Sequence, residues 1–249
     1  MTSLAGIDEA ALLAALNDRR VLCAFQPIVA ADTHAVHHHE CLLRIRADDG
    51  NLLPPAPFIA AAEAADCVHL LDHRMLENAA RAMVGQGDLH LALNLSVRTV
   101  VNPRAACGYL DALKALGRAA SRLTLELTET VAVEDPVLAA DFSRRARALG
   151  CRFAIDDFGA GYTSFRNLLA IEADSVKIDG SFVDGVTEDA RARTFIRMMV
   201  DLTQTFGVDT VAERVETAEE ADVLRELGVD YLQGYHFGKP SLRLTKQAA

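Results

Sequence analysis

An irregular α/β barrel of the (β/α)8 TIM type, with its first strand antiparallel to its second, is the fold this sequence predicts. Three observations carry it: eight strand-like runs recur along the chain, helical runs separate most of them, and only about seven polar or small residues lie between the first two. Strands that alternate with helices pair in parallel, because each crossover helix returns the chain to the same end of the sheet, and eight such strands close on themselves. A link of about seven residues is too short for a crossover and makes a hairpin instead. The 249 residues, 51% of them hydrophobic, suffice for one large core without a second domain.

Residues 1–20 read as a short helix, Asp8 to Arg19, or as the end of a linker, ahead of a barrel domain over 21–249. Val21–Val29 and His37–Arg46 are the hairpin strands. Phe58–Val84 repeats apolar residues every three or four positions and reads as one long helix before the strand Leu89–Val97. The same spacing makes helices of Pro103–Leu116, Pro136–Leu149, Asp189–Phe206 and Ala218–Leu227. Gly117, Gly150, Gly207 and Gly228 follow the ends of these four, where a residue free to adopt positive φ stops a helix. The remaining strands are Arg122–Thr130, Cys151–Phe158, Ser175–Phe182, Asp209–Glu216 and Tyr231–Phe237.

The formal charge of −10 argues against a general nucleic-acid binder, which needs a basic footprint to displace counterions. No run of about 18 apolar residues is present and the N-terminus has no basic segment ahead of an apolar one, so a soluble cytoplasmic protein without membrane contact is expected. Five cysteines with no C-x-x-C spacing point to reduced, buried thiols and against zinc.

Chemistry is carried by polar residues where strands end. Asn94 closes Leu-Ala-Leu-Asn, Glu126 closes Leu-Thr-Leu-Glu, Asp156 and Asp157 close Phe-Ala-Ile-Asp-Asp, and Glu213 closes Thr-Val-Ala-Glu, while Glu40 and Gln233 sit in the second and eighth strand runs. Active sites of such barrels lie at the C-terminal strand ends. Burying ionised carboxylates there costs several kcal/mol unless a cation compensates them, so the pattern describes a ring of hard oxygen donors suited to Mg²⁺ or Mn²⁺. Lys177 lies in a strand otherwise fit for a core, and its ammonium needs an acidic neighbour, which that ring provides.

Phe25-Gln26-Pro27-Ile28-Val29, Glu40-Cys41-Leu42-Leu43-Arg44, Asn94-Leu95-Ser96, Glu126-Leu127-Thr128-Glu129, Asp156-Asp157-Phe158-Gly159-Ala160-Gly161-Tyr162-Thr163-Ser164, Lys177-Ile178-Asp179, Ala212-Glu213-Arg214-Val215-Glu216 and Gln233-Gly234-Tyr235 occur in this order. Over roughly residues 21–241 the chain thereby resembles the EAL domain of cyclic-di-GMP phosphodiesterases. The resemblance implies hydrolysis of cyclic di-GMP to linear pGpG with two metal ions. It assigns Glu40, Asn94, Glu126 and Asp156 to a first ion, and Asp156 with Asp157 to a second that Glu213 approaches. It gives Lys177 the orientation of the nucleophilic water or the phosphate, and makes Gln26 and Arg44 substrate contacts and Gln233 a residue of the rim. Glu129 would anchor the loop from Phe158 to Ser164, which shapes the second ion site and a homodimer contact. The family is commonly fused to regulatory domains, so a link to one in a longer protein is expected.

Other readings compete with these. A degenerate domain that binds cyclic di-GMP as a receptor, or a partner protein, would have lost metal ligands or Glu129, and all are present. An unrelated metal-dependent barrel enzyme requires the motif order to be accidental. Asp157-Phe158-Gly159 lacks the other signatures of a kinase, and Gly159-Ala160-Gly161 is too short for a dinucleotide fingerprint. His37-His38-His39 places two alternating histidines on one strand face without a third ligand, and a structural role is expected; Met198 and Met199 are expected to pack in a helix. Three departures from the family pattern stand out: Cys41 for alanine, His38 on the face of Glu40 where it would crowd the barrel interior, and Arg214 for glycine beside Glu213.

Overall fold

The computed structural model describes residues 9–47, 49–128, 135–159 and 172–244. Strands β1 (Val21–Ala30) and β2 (Val36–Arg46) form the expected hairpin, pairing antiparallel from Val21 opposite Ile45 to Val29 opposite Val36. A two-residue strand β3 (Leu52–Leu53) pairs with β2 outside the barrel. Strands β4 (Leu91–Asn94), β5 (Leu123–Thr128), β6 (Arg152–Phe158), β7 (Ser175–Ile178), β8 (Asp209–Ala212) and β9 (Tyr231–Gln233) follow in parallel register from β2. Antiparallel pairing of β9 with β1 closes the barrel, so β1 alone runs against both its neighbours.

Several elements are shorter than the residue pattern predicts. The Phe58–Val84 run is two helices, α2 (Ala56–Ala64) and α3 (Val68–Ala82), parted at Asp66, whose φ of 52° is left-handed and cannot continue a helix. The strand runs Ser175–Phe182, Asp209–Glu216 and Tyr231–Phe237 each stop four residues early, the first because the chain enters a helix at Gly180. Helix α1 (Glu9–Asn17) buries Leu12, Ala15 and Leu16 in the same core as β1, β2, α2 and α3.

Helices α4 (Val97–Val101), α5 (Pro103–Ala115), α6 (Pro136–Ala148), α7 (Gly180–Val183), α8 (Ala190–Thr205) and α9 (Ala218–Glu226) complete the shell, with a 3₁₀ turn over Gly117–Arg122. Their starts are chemically specified. Asn102 and Asp135 each precede a proline and accept from two backbone N–H groups of α5 and α6, and Thr217 with Glu220 forms a capping box at α9. The four predicted stop glycines all take positive φ. Among the described residues no helix is long and apolar enough to cross a membrane.

Between barrel and helices lie two apolar clusters, one behind β1, β2, β4 and β5 and one behind β7, β8 and β9. The first is keyed by Phe153, fully buried, whose ring stands edge-on to Phe142 at 6.4 Å, with Tyr109 beyond it. Truncation there removes an aromatic that nothing can replace, so Phe153→Ala should cost about 3–5 kcal/mol, read as a lower urea midpoint at unchanged slope. A loss below about 1 kcal/mol would show that the aromatic column is not a keystone.

Candidate active site

Strand alternation delivers the site. Leu125 and Leu127 face the helices and leave Glu126 pointing inward; Val176 and Ile178 do the same for Lys177, and Cys41 for Glu40. Glu40, Glu126 and Lys177 are thereby almost wholly inaccessible, at 4%, 1% and 1% exposure. The ammonium of Lys177 lies 2.7 Å from Glu213, 3.0 Å from Asp156, 3.1 Å from Glu126 and 3.5 Å from Glu40. One cation thus ties together four acids from β2, β5, β6 and the end of β8.

Four acids on one ammonium leave the ring short of positive charge. Burial alone would lower the Lys177 pKa, yet the carboxylates hold it well above the usual lysine range, Glu126 and Glu40 foremost. Burial pushes Glu40 upward too, but Lys177 and the hydrogen bonds from Gln233 and Asn94 keep it below its ordinary value. Glu126 accepts from Lys177 but from no amide among the described residues: burial drives it well above the carboxylate range against the pull of Lys177, with Glu40 and Asp156 adding to the rise. Burial likewise raises Glu213 to about 7 against the pull of Lys177. Oδ1 of Asp156 is buried and 3.0 Å from Lys177, but has no hydrogen-bond partner among the described residues.

Asp157 joins this centre through a backbone irregularity. In a regular strand it would face away from Asp156, but the β6–β7 register shifts between Ile155 and Phe158, and Asp157 has φ 55°. Side-chain oxygens of Asp156, Asp157 and Glu213 consequently lie within 4.8 Å of one another, the one group of three acid, histidine or cysteine ligands that close among the described residues. Burial raises the Asp157 pKa, and Asp156 and Asp179 add to it. An all-oxygen donor set with unmet charge fits hard divalent cations.

The amides support the acids. Asn94 donates to one oxygen of Glu40 at 2.6 Å and Gln233 to the other at 2.6 Å. Gln233, expected at the rim, is buried and also donates to Gln26, whose own amide donates to the carbonyl of Gly238. Gly234 makes this possible, since any Cβ there would lie 1.9 Å from the carbonyl oxygen of Val215. Two adjoining cavities open over the ring. One, of about 420 Å³, is lined by Gln26, Lys177, Asp156, Glu213 and Arg214; the other, of about 540 Å³, by Asn94, Glu126, Asp72 and Ser96, and both include Leu42 and Arg44.

Glu129 and the loop beyond Gly159 lie outside the described residues. A bulge places His37 as an extra residue between the pairs Ile28–His38 and Val29–Val36, so His37 and His38 approach through their Nδ1 atoms at 2.8 Å and pack on Tyr231. His38 is half-buried, and desolvation, with His37 and Lys177, lowers its pKa to about 3 and leaves it neutral. Met199 is buried in α8 and Met198 exposed. The sequence reading missed Asp72, which reaches from α3 to accept from the hydroxyl of Thr99 and the backbone N–H of Ser96, two residues after Asn94. Burial raises its pKa to about 7. Its signal was a carboxylate on the apolar row of α3, flanked by Leu71, Met75 and Leu76.

The fold and site define an α/β barrel whose strand ends converge on a lysine-centred carboxylate ring. Comparison with known proteins is consistent with that class: the sequence model of the EAL domain matches residues 9–240. The chain belongs to the EAL domain family. It is 34% identical over 240 residues to the cyclic di-GMP phosphodiesterase NbdA of Pseudomonas aeruginosa, covering 93% of this chain and 30% of that protein. It is 31% identical over 231 residues to the cyclic di-GMP phosphodiesterase PdeB of Shewanella oneidensis, covering 91% and 27%. The chain thus spans about 30% of the length of these curated relatives. Among solved structures, the PaMucR phosphodiesterase in complex with c-di-GMP superposes with a TM-score of 0.85 at 30% identity, covering 93% of this chain and 96% of that one. The FimX EAL domain from Pseudomonas aeruginosa bound to c-di-GMP gives 0.86 at 25% identity, covering 94% and 96%.

The raised Glu213 pKa makes a testable contribution to stability in chelator. A carboxyl that holds its proton more tightly folded than unfolded favours the fold below about 4.5, and this is lost as pH rises through about 7. Between those values Glu213→Gln should therefore lose less stability with rising pH than the parent does, with urea unfolding in EDTA as the measurement. Saturating Mg²⁺ should narrow the difference; parallel pH profiles in EDTA would refute the assignment.

Proposed function

We propose that this chain hydrolyses one phosphodiester of cyclic di-GMP to linear pGpG, with two divalent ions, Mg²⁺ or Mn²⁺, in the site. The observation that carries this reading is the ring itself: four carboxylates gathered on Lys177, with Asp157 turned in beside them, beneath cavities large enough for a dinucleotide. The names of NbdA and PdeB and the ligand of the PaMucR complex support the choice of substrate.

Glu40, Asn94, Glu126 and Asp156 would hold the first ion, and Asp156 with Asp157 the second, which Glu213 approaches. Bound there, such ions lower the pKa of a water and neutralise charge developing on the phosphate. The chain's own part is positional. Gln233 and Asn94 fix both oxygens of Glu40, and Gln26 fixes Gln233. Lys177, immobilised from four sides, orients the attacking water or the scissile phosphate through an N–H. Glu213, 2.7 Å from Lys177, is placed to take up the water's proton. Arg44, shared by both cavities, meets the substrate's phosphate with a planar pair of donors. The reading extends to a cytoplasmic phosphodiesterase domain over 21–249, acting as a homodimer and coupled to a regulatory domain in a longer protein.

Mass spectrometry of cyclic di-GMP incubated with the protein and Mg²⁺ should show the gain of one water. Lys177→Ala should lower kcat by about 10²–10⁴-fold with metal binding retained, whereas Glu40→Ala and Asp156→Ala should lose metal affinity and activity together. Ca²⁺, which prefers about 2.3–2.6 Å and looser coordination than the 2.0–2.1 Å of Mg²⁺, should bind and inhibit. Cyclic dinucleotide recovered intact in both Mg²⁺ and Mn²⁺ would overturn catalysis in favour of a receptor.

A further inference from the structure

Arg214 occupies a costly place. It directly follows Glu213 with φ 57°, the left-handed region in which residues bearing a Cβ pay on the order of 1–2 kcal/mol. Its stem lies across Gly180: a Cβ at that glycine would come 2.2 Å from Cδ of Arg214, 2.6 Å from Cγ and 2.7 Å from Cβ. Gly180 is not among the positive-φ glycines, so what it provides is room, and Arg214 fills the room. Among the described residues the guanidinium's hydrogen-bonding partner is Asp184 at 3.4 Å, with the two side chains 59% and 60% accessible, and its charge adds to the hydrogen bonds from Ser181 that lower the Asp179 pKa. A pair that open to solvent contributes between nothing and about 1 kcal/mol. Neither the backbone nor the ion pair accounts for an arginine here.

The cavity does. Arg214 lines the same space as Lys177, Asp156, Glu213 and Arg44. Lys177 lies at its buried floor and Arg214 at its exposed lip. A cyclic dinucleotide carries two phosphodiesters, and only one can sit over the carboxylate ring. We propose that Arg214 is a specificity-determining substrate contact whose guanidinium leaves Asp184 to bind the phosphodiester that is not cleaved, a role that rests on the phosphodiesterase reading above. Asp184 then serves as a resting partner, weak enough to be exchanged for a phosphate that accepts two parallel hydrogen bonds.

The test compares the parent, Arg214→Gly and the exchange Gly180→Arg/Arg214→Gly on two substrates, cyclic di-GMP and bis(p-nitrophenyl) phosphate, which has a single phosphodiester. Arg214→Gly relieves the left-handed strain, so its Tm should equal or exceed that of the parent. Its KM for cyclic di-GMP should rise about tenfold, the loss of one charged hydrogen-bonding contact, with kcat within about twofold. The preference for cyclic di-GMP over the one-phosphate ester, as a ratio of kcat/KM, should fall by the same factor. The exchange returns a guanidinium to the contact from its other side and should recover most of the preference. A parent that hydrolyses cyclic di-GMP beside an Arg214→Gly variant with unchanged KM overturns the contact, as does an equal rise in KM for both esters. Failure of the parent on both substrates in Mg²⁺ and Mn²⁺ instead removes the phosphodiesterase reading, and this proposal with it.

Discussion

The contact of Lys177 with four carboxylates is the constraint on which the rest of the site depends. Each acid comes from a different strand or strand end, so their separation is set by barrel closure, and the ammonium is what makes that closure tolerable. A buried ion pair of this kind is a poor source of stability, because several kcal/mol of desolvation per ion offset its attraction. The arrangement is instead half of a charge complement. Its remaining deficit falls on Glu126 and Glu213, whose pKa values rise, while at Glu40 the push of burial is overcome by Lys177 together with the two amides that satisfy both its oxygens.

Around that centre the regular barrel geometry is broken where period two would aim a side chain the wrong way. A bulge with a left-handed Asp157 brings two consecutive aspartates to one face of β6. Across the barrel, the bulge at His37 lets two consecutive histidines share Tyr231. Arg214, left-handed directly after Glu213, turns a side chain over Gly180. Each irregularity costs local backbone energy, and two of the three border the carboxylate ring, where positioning matters more than stability.

The barrel was legible because its signals are local: periodicity, helix-stopping glycines and a link too short for a crossover each speak for themselves. The acids were legible for the same reason, as charges at strand ends that no core would accept unpaired. What stayed hidden was the direction of side chains at irregular backbone. Nothing in Asp156-Asp157 states that the second turns back, and nothing in the long apolar spacing of 58–84 states that Asp66 interrupts it. Gln233 as a support of Glu40, and Asp72 as a brace of the segment after Asn94, depend on tertiary approach between distant elements. In both cases the only trace in the sequence is a polar residue at an inward position.

The charge of the cavity sets what it can admit. Its lining carries Glu40, Asp156, Glu213 and Glu216 against Arg44, Lys177 and Arg214, so the formal count is one negative charge, in a chain whose net charge is −10. Lys177 is buried and its charge is offset by four carboxylates, so it adds little to the attraction of a substrate at long range. Among the described residues that line this cavity, that leaves two arginines to attract an anion, Arg44, shared with the neighbouring cavity, and Arg214 at the lip. Arg44 spends a donor on the carbonyl of Leu43, which fixes its stem, whereas the hydrogen-bonding partner of Arg214 among the described residues, Asp184, is solvent-exposed. Preorganisation at one arginine and exchangeability at the other suit a ligand with two phosphates that must be held firmly at one and captured at the other.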